Sequence, residues 1–438
     1  MLLFLSISTK SQGSVLIGYW HNWNDSNAPY ILLDQVDSRY NVVCVAFAEP
    51  VSPSDMTMHF TPDVVSQTTF IEQVQSLQSQ GKKVLISIGG ANASISLNNN
   101  ANRDAFINSM TSILNTFQFD GIDIDIEHGN SILASGTITN PTSVDCINLI
   151  YAINQIKTNY FIANNRQMML TFAPETAYVQ GGMSAYGGIW GGYLPLIHAF
   201  RNDLNYIHVQ LYNSGSMYGI DGNIYFQGTA DFILAMSEAV LHGFNTNGGY
   251  FQGLPADKVV VGLPACPSAA GGGFISTAVV QSAVKYLKGT GPKPGSYTLF
   301  QTGGYANIAG MMAWSINWDK VTTCNPSPYE YAQNYQILFG TPTNISNEST
   351  VSEYKLYQNY PNPFNPKTSI SYEIPESGFV RIIIYDAIGR EIEALVNEHR
   401  LAGSYIIDWN ASQHPSGTYF CRMKINNFID VKRILLVK

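Results

Sequence analysis

The chain has 438 residues, enough for one large domain with a smaller one, and its hydrophobic content of 45% is that of a globular protein. The net charge of −8 lacks the basic excess that a general nucleic-acid binder needs, so no nucleic-acid partner is predicted. The odd count of five cysteines excludes a disulfide framework, and none of them lies in a C-x-x-C pair of the kind that binds metals. One disulfide is possible, but the sequence cannot place it.

Residues 1–13 begin with a short apolar run that is typical of the core of an export signal. The positively charged segment that usually precedes such a core is missing, so we favour a truncated signal peptide over a frayed apolar end. No later stretch of about 20 apolar residues follows that could span a membrane.

Short β-branched runs alternate with longer helical patterns between residues 14 and 340. The eight runs are Val15–Tyr19, Val42–Ala48, Val84–Ile88, Gly121–Glu127, Met168–Ala173, Tyr206–Leu211, Val259–Leu263 and Gly310–Ser315. The helical patterns are Val65–Gln80, Arg103–Phe117, Ser143–Ile162, Ala230–Leu241 and Thr277–Leu287. This alternation predicts an α/β fold, a (β/α)8 TIM barrel, whose near-continuous apolar strands are buried on both faces.

The fourth run carries carboxylates at alternate positions, Asp123, Asp125 and Glu127, with isoleucines between them. Side chains alternate along a strand, so the three acids point to one face and the isoleucines to the other. Crowded carboxylates repel, so at least one should titrate above its ordinary range, as in functional sites. An acidic edge strand and a calcium-binding loop are alternatives; the isoleucine face argues against the first and the glycine placement against the second. Asp120 has the other parity and is expected to hold the start of the strand by hydrogen bonding.

In a TIM barrel the functional site lies at the carboxyl ends of the strands. The other strand ends carry polar, aromatic or glycine residues, which are Tyr19, Trp20, Ser87, Gly89, Gly90, Glu175, Gln210, Tyr212, Asn213 and Trp314. Aromatic rings stack on sugars while amides and acids bond sugar hydroxyls, so these ends predict a carbohydrate cleft. Trp20 fits a packing role equally well. No histidine trio has metal-ligand spacing, and neither a metal nor another cofactor is predicted.

With these residues in hand, residues 14–340 resemble the family 18 glycoside hydrolases, the chitinases and their relatives. The acidic strand matches the family's D-x-x-D-x-D-x-E motif from Asp120 to Glu127. The segments Leu170–Glu175 and Gly310–Asp319 look most like the bacterial chitinase D branch. The resemblance implies a retaining reaction in which the substrate assists its own hydrolysis without a cofactor.

The resemblance also implies roles for single residues. Glu127 would be the general acid and base, with the substrate's N-acetyl oxygen as nucleophile. Asp125 would bond the acetamido N–H and share a proton with Asp123, Tyr212 would orient the acetamido group, and Trp314 would floor the −1 sugar. Further substrate contacts would be Tyr19, Trp20, Gly89, Glu175, Gln210 and Asn213. The structural residues of the motif would be Asp120, Ser87 and Gly90.

Residues 341–352 lack apolar periodicity and predict a linker. The following residues 353–438 predict a small all-β, immunoglobulin-like sandwich. Its alternating runs are Thr368–Ile374, Phe379–Tyr385, Gly403–Asn410, Gly417–Ile425 and Asp430–Val437. The segments Tyr360–Thr368 and Ile384–Arg390 resemble the type A sorting domain of the type IX secretion system, which implies contact with that outer-membrane machinery. A carbohydrate-binding module is the alternative, but Trp409 is the module's sole tryptophan.

The sequence therefore predicts a secreted or cell-surface, monomeric chitinase that hydrolyses β-1,4 links in chitin or N-acetylglucosamine oligosaccharides. An endo-β-N-acetylglucosaminidase acting on N-glycans is one alternative, and a non-catalytic chitin or glycan binder is another. Aromatic subsites along the cleft favour chitin, and the candidates for them are Trp20, Trp23, Trp190 and Trp318. The intact Glu127 and Tyr212 argue against a mere binder.

Overall fold

The computed structural model describes residues 14–127, 132–340, 353–400 and 403–438. The predicted signal segment 1–13 and the predicted linker 341–352 lie outside the described residues. The chain divides into two compact units, Met1–Leu149 with Met168–Ser346, and Ile150–Gln167 with Asn347–Lys438. The domain boundaries given above stay a prediction. Within the described part of the chain, no helix combines the length and the apolar character needed to cross a membrane.

The first unit contains the predicted parallel barrel. Its eight strands are β1 Val15–His21, β2 Val42–Ser52, β3 Lys83–Gly89, β4 Gly121–Asp125, β5 Met169–Phe172, β6 Tyr206–Ile207, β7 Val260–Pro264 and β8 Gly310–Trp314. They are hydrogen-bonded in the order β7-β8-β1-β2-β3-β4-β5-β6. Parallel bridges Ile207–Val259 and Gln210–Gly262 then join the two ends of this order. The prediction of an eight-stranded TIM barrel is thereby confirmed.

Helices follow most of the strands, as predicted. Those among the described residues are α1 Gln67–Ser79, α2 Asn100–Phe117, α3 Val144–Asn164, α4 Leu194–Ala199, α5 Ala230–His242, α6 Thr277–Leu287, α7 Ile316–Lys320 and α8 Glu330–Phe339. Side chains of Ser66, Asn99 and Thr229 cap the first turns of α1, α2 and α5, as expected for these residue types. The crossover from β1 to β2 departs from the pattern, since it holds the 3-10 turn Leu33–Gln35.

Short antiparallel strands and 3-10 turns complete the first unit. Asp55–His59 pairs with the last part of β2. Two hairpins are formed by Ser216–Tyr218 with Ile224–Phe226 and by Gly243–Thr246 with Gly249–Gln252. The remaining 3-10 turns are Thr176–Tyr178, Gln180–Met183, Ala256–Lys258 and Pro267–Ala269.

Alternate side chains of the strands fill the interior of the barrel. Tyr19 of β1 and Cys44 of β2 belong to this buried interior cluster. Asp123 bonds to Tyr19, so β4 turns its aspartates inward. By strand alternation, its two isoleucines, also fully buried, face the helical layer. The apolar face of β4 thus packs the outer layer and leaves the acids inside.

The second unit contains two antiparallel sheets around one apolar core that includes the buried Trp409. The strands are β9 Lys355–Leu356, β10 Lys367–Ile374, β11 Gly378–Tyr385, β12 Glu391–Arg400, β13 Gly403–Asn410, β14 Gly417–Ile425 and β15 Phe428–Leu436. The sheet orders are β9-β10-β13 and β12-β11-β14-β15. The sequence did not predict β12, because two register shifts against β11 break its alternation. The immunoglobulin-like assignment stays a prediction.

The start of the acidic strand depends on a glycine. Gly121 lies opposite Met169 of β5, and a Cβ atom at residue 121 would be 1.9 Å from the Met169 carbonyl oxygen. The neighbour is backbone of an interior strand, so it cannot turn aside as a flexible side chain could.

We expect Gly121→Ala to lower the free energy of unfolding by about 3 kcal/mol or more, because β4 and β5 would have to separate. Chemical denaturation of the purified chain measures this change. Gly187→Ala is the matched control, since its Cβ would meet no atom within 4 Å, and it should change the free energy by less than about 0.5 kcal/mol. Equal curves for the two variants would contradict the close approach of β4 and β5.

Candidate active site

The acidic strand ends at Asp125, two residues earlier than the sequence predicted. Beyond Asp125, the Tyr193 hydroxyl provides backbone hydrogen bonds of the kind that a neighbouring strand would otherwise make. The Ile126 N–H donates to Tyr193 Oη at 2.9 Å, and Tyr193 Oη donates to the Ile126 carbonyl at 3.1 Å. The Asp125 carbonyl accepts the N–H of Gly90 at 2.7 Å. These bonds fix Glu127 at the carboxyl end of the barrel although regular strand pairing has stopped.

Asp123 lies inside the barrel and is fully buried. Its Oδ2 accepts hydrogen bonds from Tyr19 Oη at 2.6 Å and Ser87 Oγ at 2.7 Å. Its Oδ1 accepts from Thr171 Oγ1 at 2.6 Å and lies 3.3 Å from His208 Nε2. Burial by itself raises the pKa of Asp123, but the charge of His208 and these hydrogen bonds outweigh burial and hold the pKa below its usual range. Asp123 is therefore an ionised carboxylate at neutral pH.

Asp125 is the next inward side chain, and its pKa is shifted in the opposite direction to that of Asp123. Gln210 Nε2 donates to Asp125 Oδ1 and to Glu127 Oε1, both at 2.8 Å. Burial raises the pKa of Asp125 well above its usual range, and the charges of Glu127 and Asp123 raise it further. Asp125 therefore keeps its proton to a higher pH than Asp123 does. Adjacent carboxyl groups with opposed pKa shifts are suited to acid–base chemistry.

A cavity of about 430 Å³ opens at the carboxyl ends of the strands. Its lining combines aromatic rings, amides, glycines and two acids. The lining residues are Trp23, Phe47, Glu49, Gly89, Gly90, Ala91, Asn92, Glu127, Gln210, Tyr212, Asn213 and Trp314. A concave site with flat apolar faces and a few convergent polar groups suits a small polar ligand that also has apolar faces.

Stacked rings form the apolar wall of this cavity. Phe47 and Trp314 stack with ring centroids 6.1 Å apart and planes 19° apart, and Trp23 stacks on Phe47 at 6.3 Å. Trp23 also stacks on His21 at 4.4 Å with an interplanar angle of 9°. Burial lowers the pKa of His21 to about 4, so the stacked imidazole is neutral at physiological pH. The wall is formed by mutual packing of the rings before any ligand arrives.

The loop after β7 holds the indole of Trp314. Trp314 Nε1 donates to the Ala269 carbonyl at 2.9 Å. This carbonyl belongs to a 3-10 turn that follows Cys266, and Cys266 is joined to Cys324 by a disulfide. The disulfide is the bridge that the sequence could not place. It joins the loop after β7 to the segment that follows β8, and Trp314 lies between the two cysteines in sequence.

Two glycines allow β3 to pass close to the acidic strand. Gly89 and Gly90 have φ of +114° and +79°, a region that side chains rarely adopt. A Cβ atom on Gly89 would lie 2.4 Å from the Asp125 carbonyl oxygen, and one on Gly90 2.6 Å from the Phe47 ring. The predicted glycines are thus required both by conformation and by space.

Most of the residues predicted for the site lie at or next to the cavity. Burial and the charge of Asp125 raise the pKa of Tyr212 well above its usual range, so its hydroxyl keeps its proton. The charge of Glu175 contributes to the raised pKa of Asp125. Asp120 Oδ2 accepts the Val84 N–H at 2.9 Å and so ties β4 to β3. The predicted residues that line the cavity directly are Gly89, Gly90, Glu127, Gln210, Tyr212, Asn213 and Trp314.

Trp20 is the exception, and we remove it from the predicted substrate contacts. Its ring is fully buried and packs against Tyr30 and Phe70, and its Nε1 donates to the Ile31 carbonyl at 2.8 Å. The reason is strand alternation: Tyr19 faces the barrel interior, so the next residue must face the helical layer. Of the four tryptophans suggested for aromatic subsites, Trp20, Trp23, Trp190 and Trp318, Trp23 is the one among the residues that line this cavity.

Sequence reasoning missed several residues that support the site. Thr171 and His208 contact Asp123, Tyr193 supports Ile126, and Phe47 stacks on Trp314. Thr171 and His208 did carry a signal, because each is a polar residue at an inward position of a buried strand run. Tyr193 carried none, since it precedes the short helix α4 and is far from β4 in sequence.

The fold also brings together three residues of types that bind metals elsewhere. Cys44 Sγ, a carboxylate oxygen of Asp123 and a ring nitrogen of His208 lie within 4.8 Å of one another. The Asp123 oxygens already accept three hydroxyl hydrogen bonds. Burial raises the pKa of Cys44 well above its usual range, so it remains a thiol, whereas metal ligation needs the thiolate. The trio fits a hydrogen-bonded cluster better than a cation site.

Comparison with known proteins places the chain in context. The family model described as "Glycosyl hydrolases family 18" matches residues 15–406. This match covers the acidic strand, every residue that lines the cavity and part of the C-terminal unit.

Individual relatives agree with the family match. The chain is 48% identical over 312 residues to "Chitinase Chi52" of Paenibacillus xylanexedens and 48% identical over 313 residues to "Chitinase D" of Niallia circulans. Each alignment covers 70% of this chain and 59% of the relative, so the chain spans about three fifths of their length. The crystal structure of a family GH18 chitinase from Chromobacterium violaceum matches with a TM-score of 0.66 and 36% identity, covering 75% of this chain and 83% of that one.

The opposed pKa shifts of the two aspartates predict opposite effects of neutralising them. The folded pKa of Asp125 is raised, so its contribution to stability is present at low pH and is lost as pH rises through that pKa. The folded pKa of Asp123 is lowered, so its contribution is present above the unfolded pKa and is lost as pH falls through the folded pKa.

At pH 8 we therefore expect Asp125→Asn to raise the free energy of unfolding by about 1 kcal/mol or more. Asp123→Asn should lower it by about 1–3 kcal/mol, because the amide presents only one oxygen to donors that now bond two. Urea denaturation at pH 5 and pH 8 measures both changes. A change of the same sign for the two variants at pH 8 would contradict the assignment of one proton to this pair.

Proposed function

The chain belongs to family 18 of the glycosyl hydrolases, and on that premise we propose that it is a chitinase. It hydrolyses β-1,4 links between N-acetylglucosamine units of chitin or its oligosaccharides. One observation carries the proposal: Gln210 Nε2 donates to both Asp125 and Glu127 at 2.8 Å and so holds the two acids together, and Glu127 lines a cavity with aromatic walls. The names of the two bacterial relatives, which are chitinases, support it.

Glu127 is the general acid. Its carboxyl group is partly exposed at the cavity, so it can reach the oxygen of a bound glycosidic link. Gln210 Nε2 donates to Glu127 Oε1 at 2.8 Å and so holds this carboxyl group at the cavity. After the first bond breaks, Glu127 is a carboxylate and acts as the base toward water.

Asp125 and Asp123 stabilise the positively charged intermediate. The nucleophile is the substrate's own N-acetyl oxygen, so the protein supplies charge stabilisation rather than a covalent bond. An oxygen of Asp125 accepts a hydrogen bond from the acetamido N–H. As the positive ring of the intermediate forms, the proton of Asp125 passes to the Asp123 carboxylate, and Asp125 becomes the negative charge beside that ring.

The remaining lining residues orient the sugar. The Tyr212 hydroxyl, which keeps its proton, donates to the acetamido oxygen and sets its angle of attack. Trp314 is the floor of the −1 subsite, held by its bond to Ala269. Gln210, Asn213 and the neighbouring Glu175 bond the sugar's polar groups.

Product analysis tests this function. Purified protein is given chitohexaose and, separately, a high-mannose glycoprotein, and products are followed by mass spectrometry and ¹H NMR. We expect shorter N-acetylglucosamine oligomers whose newly formed reducing ends first appear as the β-anomer. Release of N-glycans with chitohexaose untouched would identify an endo-β-N-acetylglucosaminidase instead, and no product from either would favour a binding protein.

Glu127→Gln should lower kcat on chitohexaose by about 10³-fold or more while oligosaccharide binding is retained, because the amide cannot donate the proton. Steady-state kinetics and calorimetric titration with chitohexaose separate the two effects. The matched control is Glu72→Gln, an exposed residue of α1, which should leave kcat unchanged. A Glu127→Gln variant with near-normal kcat would remove this residue from the role of acid.

For the C-terminal unit we propose a sorting role: it directs the exported chain to the type IX secretion machinery and is then removed or exchanged for a surface anchor. The supporting features are the sequence resemblance of residues 353–438 and an all-β core built from two antiparallel sheets. The buried position of Trp409 argues against its use as a sugar platform. The chain would act outside the cell.

Deleting Tyr354–Lys438 should leave the kcat of the purified protein within about twofold of the full chain but should stop its appearance outside the cell in the organism of origin. Activity assays and immunoblots of culture medium, cell surface and periplasm measure the two effects. Glu127→Gln in the full chain is the control, because it should be exported normally although inactive. Normal export of the truncated chain would refute the sorting role.

A further inference from the structure

His208 is a fully buried histidine that the reaction described above does not use. It follows β6 and precedes Gln210 by two residues, so both side chains point into the barrel. The His208 ring packs edge-on against Tyr19, with centroids 6.0 Å apart. Its Nε2 lies 3.3 Å from Asp123 Oδ1. The imidazole is therefore placed directly beside the Asp123 carboxylate, and it is not among the residues that line the cavity.

The ring nitrogens of His208 are not satisfied by hydrogen bonds of ordinary geometry. Among the described residues, neither nitrogen has a partner in hydrogen-bond geometry, although Nε2 is close to the Asp123 carboxylate. A neutral imidazole in this place would leave buried polar atoms unpaired, which costs free energy. An imidazolium gains more from this position than a neutral ring does, since the attraction between opposite charges 3.3 Å apart needs no strict geometry.

The surroundings contain acids and neutral groups. The titratable groups that face this part of the interior are Asp123 and Asp125 of β4, Tyr19 of β1, Cys44 of β2, and Tyr206 and Tyr212 on either side of His208. β7 and β8 contribute the apolar Val260 and Met312 to the same cluster. Of the described groups in contact with Asp123, the others are hydroxyls, so His208 is the one that can supply positive charge.

We propose that His208 is a positioning residue for the reaction: as a buried imidazolium it keeps Asp123 ionised and so keeps the shared proton on Asp125, beside Glu127. This rests on the proposed function. His208 is not among the residues that line the cavity, so its effect passes through Asp123. The lowered pKa of Asp123, to which the His208 charge contributes, agrees with this role.

The charge of His208 can be observed without any substrate. In the full chain labelled with ¹⁵N-histidine, the ring signals of residue 208 are assigned by their absence from His208→Gln. We expect imidazolium shifts from pH 5 to pH 7 in the wild type. In Asp123→Asn, which removes the partner charge, we expect the ring to become neutral within this range. A neutral ring in the wild type, or a charge that does not respond to Asp123→Asn, would overturn the proposal.

A pH profile then tests the consequence for the reaction. His208→Gln keeps a donor near the Nε2 position but has no charge. We expect the acid limb of kcat/KM on chitohexaose to move up by about one pH unit, so that kcat/KM falls about tenfold at pH 5 and less than twofold at pH 8. His242→Gln, an exposed residue at the end of α5, is the control and should keep the wild-type profile.

The outcomes separate the two proposals. A wild-type profile in His208→Gln would show that hydrogen bonding without charge suffices, which would overturn the role of His208 while the chitinase stands. An equal loss at every pH would mark a structural role and would also overturn it. If the wild type leaves chitohexaose intact, the proposed function fails, but the ring signals still decide whether Asp123 has an imidazolium partner.

Discussion

Three carboxyl groups at alternate positions of one interior strand are the constraint on which this barrel depends. They cannot all ionise in a place from which water is excluded, because each charge loses its hydration and repels the others. The fold separates them by their pKa values and by position: the pKa of Asp123 is lowered, that of Asp125 is raised, and Glu127 reaches the cavity. The groups that stabilise Asp123 come from four different parts of the barrel, namely Tyr19, Ser87, Thr171 and His208.

A closed barrel is well suited to this task. Strands that are far apart in sequence all turn alternate residues toward one axis, so several donors can converge on one carboxylate without a dedicated loop. The same closure excludes solvent and raises the pKa of Asp125. Burying this acid lowers the free energy of unfolding relative to a core of apolar residues. The packing of the isoleucine face of β4 against the surrounding helices must offset that loss.

Local periodicity allowed the eight barrel strands, most helices and the acidic centre to be predicted from sequence. Contacts made across the barrel could not be predicted in this way, as Tyr193 and the Cys266–Cys324 bridge show, because they depend on how loops far apart in sequence meet. Trp20 was wrong for a different reason. Its neighbour Tyr19 was expected to face the site, and strict alternation should already have turned Trp20 outward. For β12, by contrast, bulges removed the alternation itself.

The remaining structure around the acids is held from several directions. The Trp314 indole is bonded to a turn, the turn follows a disulfide, and the ring is stacked on Phe47. Gly89 and Gly90 leave no room for side chains between β3 and its neighbours. Polar groups fixed in this way need no rearrangement when charge develops beside them, which is the main source of electrostatic stabilisation in enzymes. The two outer acids are held in the same way, because Gln210 Nε2 donates both to Asp125 Oδ1 and to Glu127 Oε1.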